Sequence, residues 1–220
     1  ASTAPKAVAN KLGRVKLAEF TNGPNEYVVK LDKTTGKVLW RHQRDLPYRH
    51  VMHLSFANNI VLASGCRSHE KDFWYHLRAY NAKDGSVAWG RDIPTRYGTS
   101  DWGHGKQDKH PMIIGNAVYI KQGNFDLATG KPLGFSFKTS SCAECSASSD
   151  NIFGRMNRLG AAGVCSLAGD GSSTPLDPTM RPGCYTTIIP AGGIVMMPSF
   201  SAGCTCPHTI QTTIAWFPKE

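Results

Sequence analysis

A tandem signature recurs three times along the chain, and it constrains the possible fold more than any other feature of the sequence. Each copy has an apolar run, then Asp or Asn, then a glycine four positions later, then a second apolar run. The copies are Val28–Trp40, Leu77–Trp89 and Gly123–Leu133. Alternating apolar residues favour a strand, Asp and Asn favour a turn, and glycine supplies the left-handed backbone that lets a second strand return. Each copy is therefore predicted to be a β-hairpin.

Further short strands are predicted between these hairpins. They are Val51–Phe56, Ile60–Ser64, Met112–Ile114 and Ala117–Lys121, with turns at Asn58-Asn59 and Gly115-Asn116. The glycines at positions 36, 85 and 130 are spaced in the range of roughly 40 to 50 residues that one propeller blade occupies, and such a blade has four strands. The predicted fold class is therefore all-β, a β-propeller of about four blades plus part of another at residues 26 to 41.

The segment Leu31–Trp40 resembles the repeat of quinoprotein-like (PQQ-binding-like) β-propellers, which reads approximately Ala-x-Asp-x-x-Thr-Gly-Lys-x-x-Trp. Segments of the C-terminal third look like the last blades of such propellers from planctomycete-type bacteria. These segments are Asp150–Arg155, Arg181–Cys184, Ile189–Gly193 and Gly203–Cys206. The resemblance implies that the chain is the C-terminal portion of a ring of about seven or eight blades. The missing blades are then expected on another chain, on a cleaved N-terminal half or on a symmetry-related copy.

The same resemblance divides the chain into three parts. Residues 1–25 are expected to be an N-terminal extension or inter-blade loop, residues 26–138 PQQ-like blades, and residues 139–220 cysteine-rich C-terminal blades. Trp40 and Trp89 end the first two hairpins, and we expect these large apolar plates to dock each blade on its neighbour. Gly134 stands where a third Trp would lie, so the third hairpin is expected to dock less well.

The cysteines predict an oxidising compartment. Six of the seven lie in the second half, within a segment rich in Gly, Ser, Thr and Pro: Cys142, Cys145, Cys165, Cys184, Cys204 and Cys206. We expect structural disulfides among these six, with the connectivity open and Cys66 left over. An alternative is a zinc site built from the Cys142/Cys145 and Cys204/Cys206 pairs. The N-terminus has no Met and no charged-then-apolar leader, as expected of a mature, extracytoplasmic (periplasmic or secreted) product.

The charge balance favours an acidic partner. The formal net charge is +9, and the basic residues are dispersed along the chain. We find no reading helix or aromatic stacking motif, so nucleic acid is not indicated. No run of about 18 apolar residues occurs, which predicts no membrane span. An acidic glycan or an acidic protein fits this balance in an exported protein.

Two groups of residues are candidates for chemistry. His76, Arg78 and Tyr80 alternate along one predicted strand and so share a face, while Tyr75 faces the other side. With His104, this face is suited to a polysaccharide lyase in which Arg binds a carboxylate while His or Tyr serves as acid and base. The alternative is that these residues pack between blades.

A metal and a quinone cofactor are the other chemical alternatives. His104 and His110 are candidate transition-metal ligands, against the alternative of an ordinary polar loop between blades. For a quinone-dependent dehydrogenase, the resemblance implies an adjacent pair of cysteines over the cofactor, and this sequence has no such pair. We therefore predict no cofactor.

The function that the sequence favours is a binding or scaffold propeller outside the cytoplasm. It would belong to a larger assembly and present basic and aromatic loops to an acidic glycan or protein. The two alternatives are a carbohydrate-active enzyme of the lyase type and a quinone- or metal-dependent oxidoreductase.

Overall fold

The chain consists of strands and turns wherever its structure is described. A computed structural model describes residues 27–43, 51–69, 72–94, 110–120, 123–139, 144–156, 161–177, 180–183, 187–198 and 213–218, without the side chains of 51, 52, 66–69, 72 and 73. These residues contain no helix, which confirms the all-β class. The chain divides into two compact units, Ala1–Thr99 and Ser100–Glu220. This division falls inside the predicted first group of blades, and the predicted domain boundaries stay predictions.

In the first unit, the described strands form two antiparallel sheets. Sheet 1 pairs β1 (Tyr27–Leu31) with β2 (Val38–Gln43). Sheet 2 contains β3 (Val51–Ala57), β4 (Ile60–His69), β5 (Asp72–Asn81) and β6 (Val87–Pro94), paired in chain order. Sheet 1 and the β5–β6 pair carry a register shift at matching positions, Lys30/Leu31 and Ala79/Tyr80. The first two copies of the signature therefore fold in the same way.

In the second unit, the described strands form three further antiparallel sheets, again paired in chain order. Sheet 3 contains β7 (Met112–Ile114), β8 (Ala117–Ile120) and β9 (Gly123–Asp126). Sheet 4 contains β10 (Ser146–Ala147), β11 (Asn151–Met156), β12 (Ala161–Ser166) and β13 (Ser173–Asp177). Sheet 5 contains β14 (Ile189–Ala191), β15 (Ile194–Met197) and β16 (Ile214–Trp216).

The three signature turns share one backbone geometry. The Asp or Asn amide donates to the carbonyl five residues on, and the glycine amide returns a bond to the Asp or Asn carbonyl. These bonds measure 2.8 and 2.9 Å at Asp32, 2.9 and 2.8 Å at Asn81, and 2.8 and 2.8 Å at Asp126. The glycines have φ of +69°, +76° and +67° at positions 36, 85 and 130, a region that other residues rarely occupy. The sequence prediction of three hairpin turns is confirmed.

The third hairpin is shorter than predicted. Opposite β9 the returning chain makes a single bridge, Phe125 to Pro132. Proline has no N–H to donate to a strand ladder, and Gly134 follows in the left-handed region at φ +83°. These two residues explain why no full fourth strand forms in sheet 3 within the described residues.

In sheets 2, 3 and 4, a further backbone hydrogen bond joins two turns of the same sheet. The residue that opens the turn after the third strand donates to a carbonyl in the turn between the first two strands. The pairs are Ala82 to Asn59 at 2.8 Å, Leu127 to Asn116 at 2.7 Å and Leu167 to Asp150 at 2.8 Å. Sheets 2, 3 and 4 therefore repeat one unit of structure, and sheet 4 does so without the signature sequence.

Consecutive sheets within each unit pack face to face through apolar clusters. In the first unit, Val28 of sheet 1 packs against Tyr80 and Ala63 of sheet 2. In the second unit, Tyr119 and Phe135, on and after sheet 3, join a cluster with Ile152, Met156, Cys165 and Phe137. The other face of sheet 4 packs on sheet 5 through Phe153, Ala162, Met197 and Trp216. Sheet 4 is thus covered on both faces, as the burial of consecutive residues along β11 requires, because successive side chains of a strand point to opposite faces.

Candidate functional site

Trp40 docks sheet 1 on sheet 2. Its indole Nε1 donates to the Ala82 carbonyl at 3.0 Å, and the Lys30 ammonium donates to the same oxygen at 2.8 Å. The indole lies over Gly85, where an added Cβ would be 2.6 Å from a ring carbon. The predicted docking role of Trp40 agrees with this geometry. Trp89, the equivalent residue of sheet 2, is buried.

His76, Arg78 and Asp92 form a charged cluster across β5 and β6. His76 and Asp92 are cross-strand partners, and the His76 Nδ1 lies 2.6 Å from the Asp92 carboxylate. The Arg78 guanidinium donates to the same oxygen at 2.9 Å. Burial opposes ionisation of Asp92, yet the hydrogen bonds from Arg78 and His76 hold its pKa below the ordinary value. Asp92 is the member that sequence reasoning missed, because it lies 16 residues from His76.

The residues proposed for lyase chemistry are mostly buried. His76 is 1% exposed and Tyr80 is 0% exposed. Tyr80 packs on Val28, with its ring centre 5.0 Å from that of His42 in sheet 1. A general acid or base has to reach its substrate, and sheet 1 covers the Tyr80 ring. The geometry therefore supports the packing interpretation for Tyr80, while Tyr75 packs with Ile93 in a different cluster, as its alternation predicts.

Of the two predicted metal ligands, the structure describes His110. His110 is exposed, its amide donates to the Glu144 carboxylate at 3.1 Å, and its Nδ1 lies 2.7 Å from the Pro111 carbonyl. His104 lies outside the described residues. Among the residues that are described, no group of three or more His, Cys, Asp or Glu side chains is placed to hold a metal ion.

Among the six cysteines expected to form disulfides, the structure describes the side chains of Cys145 and Cys165. Both belong to the apolar cluster between sheets 3 and 4, and Cys165 is a free thiol in the structure. Burial, with the nearby Asp170 charge, raises the pKa of the Cys165 thiol. Cys142, Cys184, Cys204, Cys206 and the side chain of Cys66 lie outside the described residues, so their pairing stays a prediction.

A groove lined by polar residues in the second unit is a candidate binding site. Its volume is about 520 Å³. One wall is the segment after β9, and the other is the β12–β13 turn with the start of β13. The lining residues are Ser136, Lys138, Thr139, Asp170, Gly171, Ser172 and Ser173. Four residues that carry a hydroxyl, one lysine and one aspartate therefore line a single concave surface.

Gly171 and Asp170 set the shape and charge of this groove. An added Cβ at Gly171 would lie 1.8 Å from the Ser136 carbonyl oxygen, and the residue has φ +87°, so only glycine fits between the two walls. The Ser172 hydroxyl and amide hydrogen-bond Asp170 and lower the pKa of its carboxyl. Asp170 is thus a negatively charged acceptor in the groove that the exposed Lys138 also lines. Sequence reasoning missed the groove because its walls are about thirty residues apart.

The side chain of Arg155 joins β11 to the segment 180–183. Arg155 on β11 is 2% exposed. Its Nε and Nη2 both donate to the Pro182 carbonyl, at 2.7 and 2.5 Å. Two charge-assisted bonds to one buried carbonyl hold residues 180–183 against sheet 4. This contact positions the C-terminal part of the second unit.

Comparisons with known proteins give no family assignment. No family model and no curated protein match the chain. No described residue lies in a helix of the length and apolar character that crossing a membrane requires.

Proposed function

We propose that this protein is an extracytoplasmic binding and scaffold β-propeller that belongs to a larger assembly and binds an acidic glycan. The hydroxyl-lined groove of the second unit carries this proposal. It is concave, polar and formed by loops held on stacked sheets, which is where proteins with this architecture place their ligands.

The propeller part of the proposal is supported by the repeated sheets. Antiparallel meanders follow one another along the chain, three of them share the same tie between turns, and consecutive sheets within each unit pack face to face. A blade is such a meander, and blades stack in this way because each buries apolar side chains on both faces.

The acidic-glycan part follows from the chemistry of the groove. Serine and threonine hydroxyls both donate and accept hydrogen bonds, which matches the hydroxyls of a sugar. Lys138 supplies a cation for a sugar carboxylate, and the formal net charge of +9 attracts a polyanion over longer distances.

The test is calorimetry of the full chain with a uronate oligosaccharide and with a neutral oligosaccharide of equal length. We expect the uronate ligand to bind more tightly, and Lys138→Met to weaken it about ten-fold, as loss of one charged contact does. Lys131→Met is the matched control, because Lys131 is an exposed lysine on the sheet 3 turn, outside the groove.

Equal binding of the neutral sugar, or an unchanged affinity in Lys138→Met, would refute the ligand assignment. The same incubation tests the lyase alternative. Growth of unsaturated-sugar absorbance during incubation would replace the binding proposal with an enzymatic one.

A further inference from the structure

The groove of the second unit carries two opposite charges, and a purely acidic ligand makes use of only one of them. Lys138 and Asp170 both line the groove, and both are exposed. A ligand whose charges are all negative is attracted by the Lys138 ammonium and repelled by the Asp170 carboxylate. The aspartate therefore indicates a second chemical group on the ligand.

Asp170 is ionised and is held in place by its own turn. The Ser172 amide donates to the Asp170 Oδ1 at 2.8 Å. The Ser172 hydroxyl donates to the same carboxyl, and these bonds lower its pKa below the ordinary value of 3.8. The turn backbone is closed by the Gly169 amide, which donates to the Ser166 carbonyl at 3.3 Å. An ionised carboxylate accepts up to about four hydrogen bonds, so Asp170 has acceptor capacity left for a ligand.

Lys138 stands on the other wall, and the chain that carries it is anchored just before it. Phe137 is 5% exposed and belongs to the cluster between sheets 3 and 4. The Phe135 amide donates to the Asn124 side chain at 2.9 Å. An ammonium has three donors and no acceptor, so Lys138 favours a negatively charged acceptor on the ligand. One wall therefore attracts an anion, and the other attracts a donor.

The groove is large enough for both interactions to be made by one ligand. Its volume of about 520 Å³ lies within the range of about 300 to 1,000 Å³ that sites for small ligands occupy. The two walls meet at Gly171, whose Cβ position lies 1.8 Å from the Ser136 carbonyl oxygen. Both charges therefore belong to one site, and a short oligosaccharide is a ligand of the right size class.

We propose that the groove binds a glycan unit in which a sugar with a carboxylate is joined to an amino sugar with a free amine. The carboxylate binds Lys138, and the protonated amine donates to Asp170. The inference rests on the acidic-glycan part of the proposed function and adds the second sugar of the ligand.

A charged donor fits Asp170 better than a sugar hydroxyl does. Hydrogen bonds between two ionised groups are about twice as strong as those between neutral groups, and the ammonium also cancels the charge that repels the rest of an acidic ligand. The Ser136, Ser172 and Ser173 side chains already match the ligand hydroxyls. Asp170 thus works against glycans that carry negative charges alone and selects among acidic ligands.

The test is calorimetry of the full chain with three oligosaccharides of equal length. The first alternates a uronate with an amino sugar whose amine is free, the second is the same molecule with every amine acetylated, and the third contains uronate alone. The measurements are made at about pH 6, where a primary amine is protonated, and at about 0.15 M salt, which screens long-range attraction. We expect the first ligand to bind about ten-fold more tightly than the other two.

Asp170→Asn should remove this preference, bringing the affinity for the free-amine ligand down to that for the acetylated one. Asparagine keeps a side-chain carbonyl that accepts the Ser172 amide, so the melting temperature shows whether the turn is retained. Asp150→Asn is the matched control. Asp150 is an exposed aspartate of the second unit that also accepts a serine hydroxyl, and it lies outside the groove.

Equal affinities for the free-amine and acetylated ligands would overturn the proposal, as would a preference for the free amine that survives Asp170→Asn. Tightest binding of the ligand that contains uronate alone would do the same. In each of these cases uronate binding itself stands, so the proposed function is retained. If none of the three ligands binds more tightly than a neutral oligosaccharide, the proposed function fails, and this inference fails with it.

Discussion

Two glycines with the same backbone conformation provide a direct measure of sheet docking. Gly36 and Gly85 have φ of +69° and +76°, so alanine at either position costs roughly 1–2 kcal/mol of stability for the left-handed conformation. Only at Gly85 does the new Cβ meet the Trp40 ring, at 2.6 Å. Overpacking of this kind adds about 1–3 kcal/mol. We therefore expect Gly85→Ala to lower the free energy of unfolding by about 2 kcal/mol more than Gly36→Ala.

The assay is urea unfolding of the full chain by far-UV circular dichroism, with hydrogen exchange of the sheet 1 amides as a local report on docking. In a Trp40→Ala background the ring is gone, so the two glycine substitutions should cost the same. Equal losses in the chain that retains Trp40, or a persistent difference after its removal, would refute the docking geometry.

Three further predictions concern the second unit. Arg155→Met removes both guanidinium bonds to a buried carbonyl, and we expect a loss of about 2 kcal/mol, visible as a lower melting temperature. Gly171→Ala places a Cβ 1.8 Å from the Ser136 oxygen, so it should destabilise the second unit by about 3 kcal/mol. The same substitution should abolish uronate binding in calorimetry. Gly169→Ala is the control and should retain binding, because its Cβ meets nothing closer than 3.5 Å. The hydroxyl and amide of Thr129 donate to Asp126 and lower the pKa of its carboxyl from the ordinary value of 3.8. The stability that the ionised Asp126 contributes is therefore present above pH 3.8 and is lost as the pH falls below it. We expect the melting temperatures of Asp126→Asn and of the unchanged chain to converge in acid.

Local chemistry explains why the hairpins were predictable. The turn at Asp32 closes within six residues: its carboxylate accepts the Thr34 and Thr35 amides at 3.0 and 2.7 Å, and Gly36 takes the left-handed conformation. All the groups involved are neighbours in the sequence, so residue type and spacing are sufficient. The same argument covers the Asn58-Asn59 turn, where both residues have positive φ.

Sequence periodicity also identified the shared face of His76, Arg78 and Tyr80, but not what that face meets. Alternation fixes which side of a strand a residue is on, whereas burial depends on the neighbouring sheet. Sheet 1 lies over Tyr80 and leaves Leu31 of its own outer face exposed. Tyr80, which was proposed for catalysis, is thus covered by sheet 1, whereas Leu31 at the equivalent position of sheet 1 is exposed.

The sequence by itself determined the strands of sheets 1 to 3, the signature turns and the expectation that Trp40 would dock, because each depends on residues close together in the chain or on a single large side chain. Only the tertiary structure decided the carboxylate partner of His76, the walls of the hydroxyl groove and the carbonyl that Arg155 binds. These contacts join segments separated by 16 to about thirty residues, and no local pattern records which distant backbone will approach. The physical reason is that hydrogen bonds within a turn depend on adjacent residues and fix the local backbone conformation. The contacts between distant segments depend instead on how the sheets stack.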